Sequence, residues 1–104
     1  MRERAERAKE LFKQGYNCSQ AVVLAFCDET GLDPETAVKL SSGFGGGIGR
    51  MREVCGAVSG MAMAAGMLYG YTDSKDDAAK AAHYRLIQTL CGRFRERHET
   101  LICR

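Results

Sequence analysis

The chain lacks a basic excess, a leader pattern, strand signals and any paired-cysteine motif, and each absence removes a class of function. Fifteen lysines and arginines stand against thirteen aspartates and glutamates, a net charge of +2. Phosphate recognition normally carries a strong basic excess, so nucleic acid is not an expected partner. The opening Met1-Arg2-Glu3-Arg4 alternates in charge and has no apolar run behind it, so no export is expected and a cytoplasmic location is the reading. Neither an alternating β-branched run nor an Asn-Gly turn occurs, which removes hairpins and sheets. None of the five cysteines stands in Cys-x-x-Cys, so the thioredoxin motif, the zinc ribbon and the haem-attachment motif are missing. No Ser-His-Asp or paired-carboxylate pattern supports a hydrolase, and Asp76-Asp77 reads as an acidic first helical turn. What remains is a chain of 104 residues, 45% apolar and 27% charged, the balance of one globular domain spanning 1–104.

Helical signals fill it. Ala5, Ala8, Leu11 and Phe12 recur at helical spacing over 3–14, ahead of Gly15. Asn17 with Gln20 makes a capping box that opens a second helix, expected to run from Cys18 to about Gly31. Asp33-Pro34 caps a short third helix that ends by Ser41. A fourth spans 53–69 and closes at Gly70, and a fifth is expected from about Ser74 to Arg97, with Ala81, Tyr84, Ile87, Cys91 and Phe94 on its apolar side. The expectation is an all-α bundle of about five helices.

The fourth segment lies within 18 uncharged residues, Val54–Tyr71, and includes the G-x-x-x-G of Gly56 and Gly60. Its Ala, Gly, Ser and Met content is too weakly apolar for a bilayer, so no membrane span is expected. A central buried helix is, with a small-residue face that admits a close neighbour or a second copy in a homodimer.

Directly ahead of that helix, Gly43–Arg50 holds five glycines in eight residues. Glycine lets backbone approach a ligand or another segment, and a helix start offers unpaired N–H groups. Gly45, Gly46, Gly47, Gly49 and Arg50 are therefore the candidates for holding a bound group, although no Gly-x-Gly-x-x-Gly register fits and no Lys-Ser or Lys-Thr follows. Tight passage of the chain against the buried helix explains the same glycines. Cys55, at a helix start behind Arg50 and Arg52, is a candidate for a lowered thiol pKa, and Cys18 at the second helix start is another. Cys27 falls on the opposite side of its helix and reads as a packed thiol. Cys91, on the apolar stripe, reads first as a core residue. Cys103 would lie about 18 Å from Cys91 if the last helix continued, so any pairing needs the tail to fold back after about His98. His83 is expected to be solvated or capping rather than a metal ligand.

Asn17-Cys18-Ser19-Gln20, Gly43-Phe-Gly-Gly-Gly-Ile-Gly-Arg50, Cys55-Gly-Ala-Val-Ser-Gly60, Cys91 and Cys103-Arg104 together resemble the C_GCAxxG_C_C family of redox-active proteins. The resemblance covers about residues 10–104 and departs from the family at the end, where members usually continue past the last cysteine. It implies a redox role for Cys18, Cys55, Cys91 and Cys103, with Cys27 outside the pattern. The expected chemistry is thiol–disulfide exchange with a redox partner protein or a small oxidant. Cys18 and Cys55 would form the reactive pair, Cys91 and Cys103 a second or resolving pair, and Arg50 would support the thiolate. The same four thiols also suit zinc or an iron–sulfur cluster, and a helical interaction module without chemistry is the third reading.

Overall fold

The computed structural model describes residues 2–103, so Met1 and Arg104 lie outside it. It is all-α, as the patterning predicts, with six helices instead of five: α1 (Arg2–Lys13), α2 (Cys18–Ala25), α3 (Cys27–Thr30), α4 (Pro34–Ser41), α5 (Gly56–Tyr69) and α6 (Asp77–His98), with a 3₁₀ turn at Ser42–Phe44.

The extra helix comes from a break at Phe26, whose backbone (φ −104°, ψ 4°) leaves the helical region. Arg4 of α1 causes it. Its guanidinium donates to the Ala25 carbonyl at 3.1 Å, the acceptor that an unbroken helix would give to the Glu29 amide, and that amide turns to the Phe26 carbonyl instead. The same guanidinium bonds the carboxylates of Asp28 and Glu29 and lies over the Phe26 ring. Gly31, at φ +77°, then closes α3 in the left-handed cap that its missing Cβ permits.

Both caps read from the early sequence are present. Asn17 accepts from the Gln20 amide while Gln20 accepts from the Asn17 amide, and Asp33 accepts from the Thr36 amide ahead of Pro34. The start of α6 differs from expectation: Asp76, not Ser74, caps it by accepting from the Ala79 amide at 3.0 Å. Asp73 captures the Lys75 amide at 2.9 Å, and that local turn takes Ser74 out of the capping position.

The core is built on α2. Val23, Leu24 and Ala37 are buried at its centre, with Leu11, Tyr16, Cys27, Leu32, Val38 and Met63 packed around them. α5 lies against α2 through the buried Gly56 and Gly60. The approach depends on glycine: a Cβ at Gly60 would stand 2.9 Å from the Ser19 carbonyl oxygen and 3.0 Å from the Val22 Cβ. On its other side α5 meets α6, none of whose residues is buried. The inward stripe of α6 is His83, Leu86, Ile87, Leu90, Cys91 and Phe94, all half-buried, so it is rotated from the predicted one: Ala81 and Tyr84 face solvent. No helix among the described residues is long and apolar enough to cross a membrane.

Candidate functional site

The candidate site forms where three segments meet: the start of α2, the glycine loop running into α5, and the C-terminal tail. The loop is one turn of left-handed backbone. Gly46, Gly47, Ile48, Gly49 and Arg50 have φ between +57° and +76°, and Arg52 follows at +61°. Such a φ is an outlier for β-branched Ile48, and each non-glycine residue there costs roughly 1–3 kcal/mol. Backbone bonds hold the turn against that cost: Arg50, Arg52 and Glu53 amides donate to the Gly45, Gly46 and Gly47 carbonyls at 3.1, 3.2 and 3.0 Å.

The tail completes the site by folding back, as any pairing of Cys103 demands. Glu99 takes a left-handed conformation (φ 66°) at the end of α6 and reverses the chain. Val54 and Ile102 then form an antiparallel bridge, flanked by Cys55 N–H to Leu101 carbonyl at 2.7 Å and Cys103 N–H to Glu53 carbonyl at 2.6 Å. In this register Cys55 and Cys103 stand on one face of the paired segments, diagonal to each other.

Cys18, at the first position of α2, is near enough to both for their charges to bear on it. The packing agrees. A Cβ at Gly56 would lie 3.1 Å from the Cys18 Cβ, and one at Gly47 would lie 2.8 Å from the Cys103 Cβ. Three of the four cysteines singled out in the sequence, Cys18, Cys55 and Cys103, are thus gathered around the loop. Cys91 is half-buried on the inward stripe of α6. Cys27 is the packed thiol expected of it: it lies against the core, its Sγ faces the Val23 carbonyl at 3.6 Å, and burial pushes its pKa up.

Two electrostatic expectations are corrected. The Cys18 pKa is raised, not lowered: burial is the main cause and the neighbouring Cys55 and Cys103 add to it, outweighing the Cys18 and Gly46 backbone N–H groups that favour the thiolate. Arg52, rather than Arg50, brings its guanidinium to a sulfur, with Nη1 3.7 Å from Cys103 Sγ. Cys55 itself is the N-cap of α5, one residue ahead of the first turn, and its side chain caps nothing.

The predicted loop residues divide. Buried Gly45 and Gly47 have no room for a side chain: a Cβ at Gly45 would stand 2.5 Å from the Asn17 side chain, and one at Gly47 2.6 Å from the Glu53 amide. Their spaces are taken by protein, which is the tight-passage role. Gly46 turns its N–H to Cys18, while Gly49 and Arg50 are exposed at the surface. Sequence reasoning missed Asn17 as a strut; besides capping α2, its Nδ2 donates to the Ser42 carbonyl at 3.1 Å and fixes the loop entrance. His83 differs from expectation too, its ring half-buried edge-on to Tyr71 and its Nδ1 buried without a hydrogen-bond partner. Among the described residues no group of three or more His, Cys, Asp or Glu side chains is arranged to hold a metal ion.

A family model described as "Putative redox-active protein (C_GCAxxG_C_C)" matches residues 16–104. No curated protein and no solved structure matches the chain.

Proposed function

The chain belongs to the C_GCAxxG_C_C family, and from that premise we propose that it is a thiol–disulfide exchange protein working through Cys103, Cys18 and Cys55. The observation that carries this reading is the gathering of those three sulfurs, drawn from positions 37 or more residues apart, around one strained loop. Strain of this kind persists where function demands a geometry.

Cys103 attacks first. It lies half-buried on the tail, and the Arg52 guanidinium offsets the negative charge that its sulfur carries in the attack. Its thiolate displaces one sulfur of the partner's disulfide, giving a mixed disulfide and a partner thiolate that takes up a proton. Cys18 resolves. The raised pKa of Cys18 keeps it a thiol until its proton is taken up, after which its sulfur attacks Cys103 and releases the second partner thiolate. Two electrons pass from the two cysteines to the partner, and Cys18 and Cys103 end as a disulfide. Cys55, beside Cys18 at the head of α5, is the third thiol to which that disulfide can migrate.

The test is a single turnover with hydroxyethyl disulfide. Reduced wild-type chain is expected to convert one disulfide per chain to two thiols. Cys18→Ser is expected to accumulate the mixed disulfide on Cys103, Cys103→Ser to react at least about tenfold more slowly, and Cys91→Ser to match wild type. Full reactivity in Cys103→Ser overturns the assignment.

A further inference from the structure

Cys103 has two targets in the exchange reaction, a disulfide brought from outside and the sulfur of Cys18 inside the fold. Each step needs open access to the reacting sulfurs. Cys103 is half-buried, and so close to Gly47 that a Cβ built there would stand 2.8 Å from its own. That position favours the inner target over the outer one. What holds Cys103 there is slight. None of Thr100, Leu101, Ile102 and Cys103 is fully buried. Among the described residues, their hydrogen bonds to the loop side are Cys55 N–H to the Leu101 carbonyl, Cys103 N–H to the Glu53 carbonyl and the Arg52 contact with the sulfur. The others are local: Thr100 N–H to the His98 carbonyl, and Ile102 N–H to the Thr100 hydroxyl. A lone pair of bridged segments is marginally stable in water, and backbone bonds with few buried contacts around them are where folds open locally. At the root of the segment Glu99 holds φ at 66°, a conformation unfavourable for glutamate that an opening tail would relax.

We infer that residues 99–103 form a strap that turns about Glu99, opening in the reduced chain and pinned to the glycine loop once Cys18 and Cys103 are joined. The strap rests on the exchange reading and adds its regulation. In the reduced chain the strap lifts, the Cys55–Leu101 and Cys103–Glu53 bonds give way to water, and Cys103 reaches the partner's disulfide. Arg52, exposed and on a flexible stem, follows the sulfur outward. The Cys103 thiolate bonds to one partner sulfur, and the other leaves as a thiolate that takes up a proton. Closure then returns the mixed disulfide to the loop, where deprotonated Cys18 bonds to the Cys103 sulfur and the second partner sulfur leaves. Two electrons have passed to the partner. The new S–S bond runs from the start of α2 to the strap and removes its open arrangements, as a cross-link does for any segment it closes. The oxidised chain thereby withdraws its attacking sulfur until the bond is reduced.

The experiment measures hydrogen exchange of single backbone amides by NMR, each rate divided by that of the unfolded chain. The full chain carries Cys55→Ser, which keeps the amide at position 55 and stops the disulfide from migrating. The amides at positions 55 and 103 are followed in the reduced chain and after Cys18 and Cys103 have been joined, with that of Ala64, buried in α5, as the reference for opening of the whole fold. In the reduced chain both are expected to exchange at least about tenfold faster than Ala64, and the disulfide to slow position 55 by about tenfold. In the otherwise wild-type reduced chain, Glu99→Asn, which suits left-handed backbone, is expected to slow exchange at Cys55 by about fivefold, and Glu99→Gln, which removes the same charge without that preference, to leave it within about twofold. Exchange at position 55 that is equal in the two redox states, or that matches Ala64 in the reduced chain, overturns the strap and leaves the exchange reading to its own turnover of hydroxyethyl disulfide. No reaction with hydroxyethyl disulfide removes the exchange reading, and the strap with it.

Discussion

α5 touches two neighbours in two different ways. Toward α2 it presents Gly56 and Gly60, and the helices close until a single added carbon would strike backbone. Toward α6 it presents half-buried side chains, and α6 contributes no fully buried residue over its 22 residues. A shallow apolar groove lined by Ala62, His83, Tyr84, Ile87 and Gln88 opens between them. The first contact fixes positions to fractions of an ångström, because close-packed surfaces shift only at a cost; the second covers apolar surface loosely. The difference matters for the sulfurs. Cys18 and Cys55 sit at the head of the tight seam, where the α2–α5 spacing sets their separation, while Cys91 sits on the loosely held helix.

Substitutions along α5 can break that comparison. The largest effect is expected at Gly60→Val, which drives two branches into the Ser19 carbonyl and the Val22 side chain. A loss of about 3 kcal/mol by urea unfolding is expected from such overpacking, together with slower disulfide formation as Cys18 and Cys55 move apart. A smaller effect of opposite sign is expected six residues on. Nothing lies within 4 Å of a Cβ built at Gly66, so Gly66→Ala is expected to add about 0.5–1 kcal/mol through helix propensity. Equal effects at the two glycines would erase the distinction between the faces.

The smallest effect sharpens the comparison through pH. Burial at the seam raises the Cys18 pKa above its ordinary value of 9.0. The unfolded chain therefore gives up this proton first as pH climbs, so the Cys18 contribution to stability is full below that value and is lost as pH rises through the window above it. Alkylation of Cys18 is accordingly expected to be slower than that of free cysteine at pH 7, with a midpoint above the free thiol's. Mass-spectrometric timing of iodoacetamide uptake checks it, and a midpoint below that of free cysteine would contradict the burial account.

How far the sequence reveals this arrangement depends on the range of the contact responsible. The Asn17–Gln20 capping box and the Asp33-Pro34 start are legible because both partners lie within three residues. The split at Phe26 is not, because Arg4 reaches it from 21 residues away. The glycines announce irregular backbone ahead of α5, but the left-handed φ of Ile48, Arg50 and Arg52 contradicts their local preference and is held only by the surrounding bonds. The tail is the sharpest case. Its return to Val54 relies on backbone hydrogen bonds that almost any side chain would permit, so the sequence can state that Cys103 must fold back and cannot state where. Arg52 follows from the tail: only once Cys103 is placed does one arginine, and not its neighbour two residues away, face a sulfur.

The central claim is that folding gathers Cys18, Cys55 and Cys103 around the glycine loop. Disulfide mapping tests it most directly: the reduced chain receives one equivalent of oxidant, free thiols are trapped at once, and the bonds formed first are identified by peptide mass spectrometry. The account predicts that the earliest intramolecular disulfides join Cys18 to Cys103 or to Cys55, with Cys27 still alkylated as a free thiol. An earliest disulfide that contains Cys27, or that leaves Cys18 free, would contradict it.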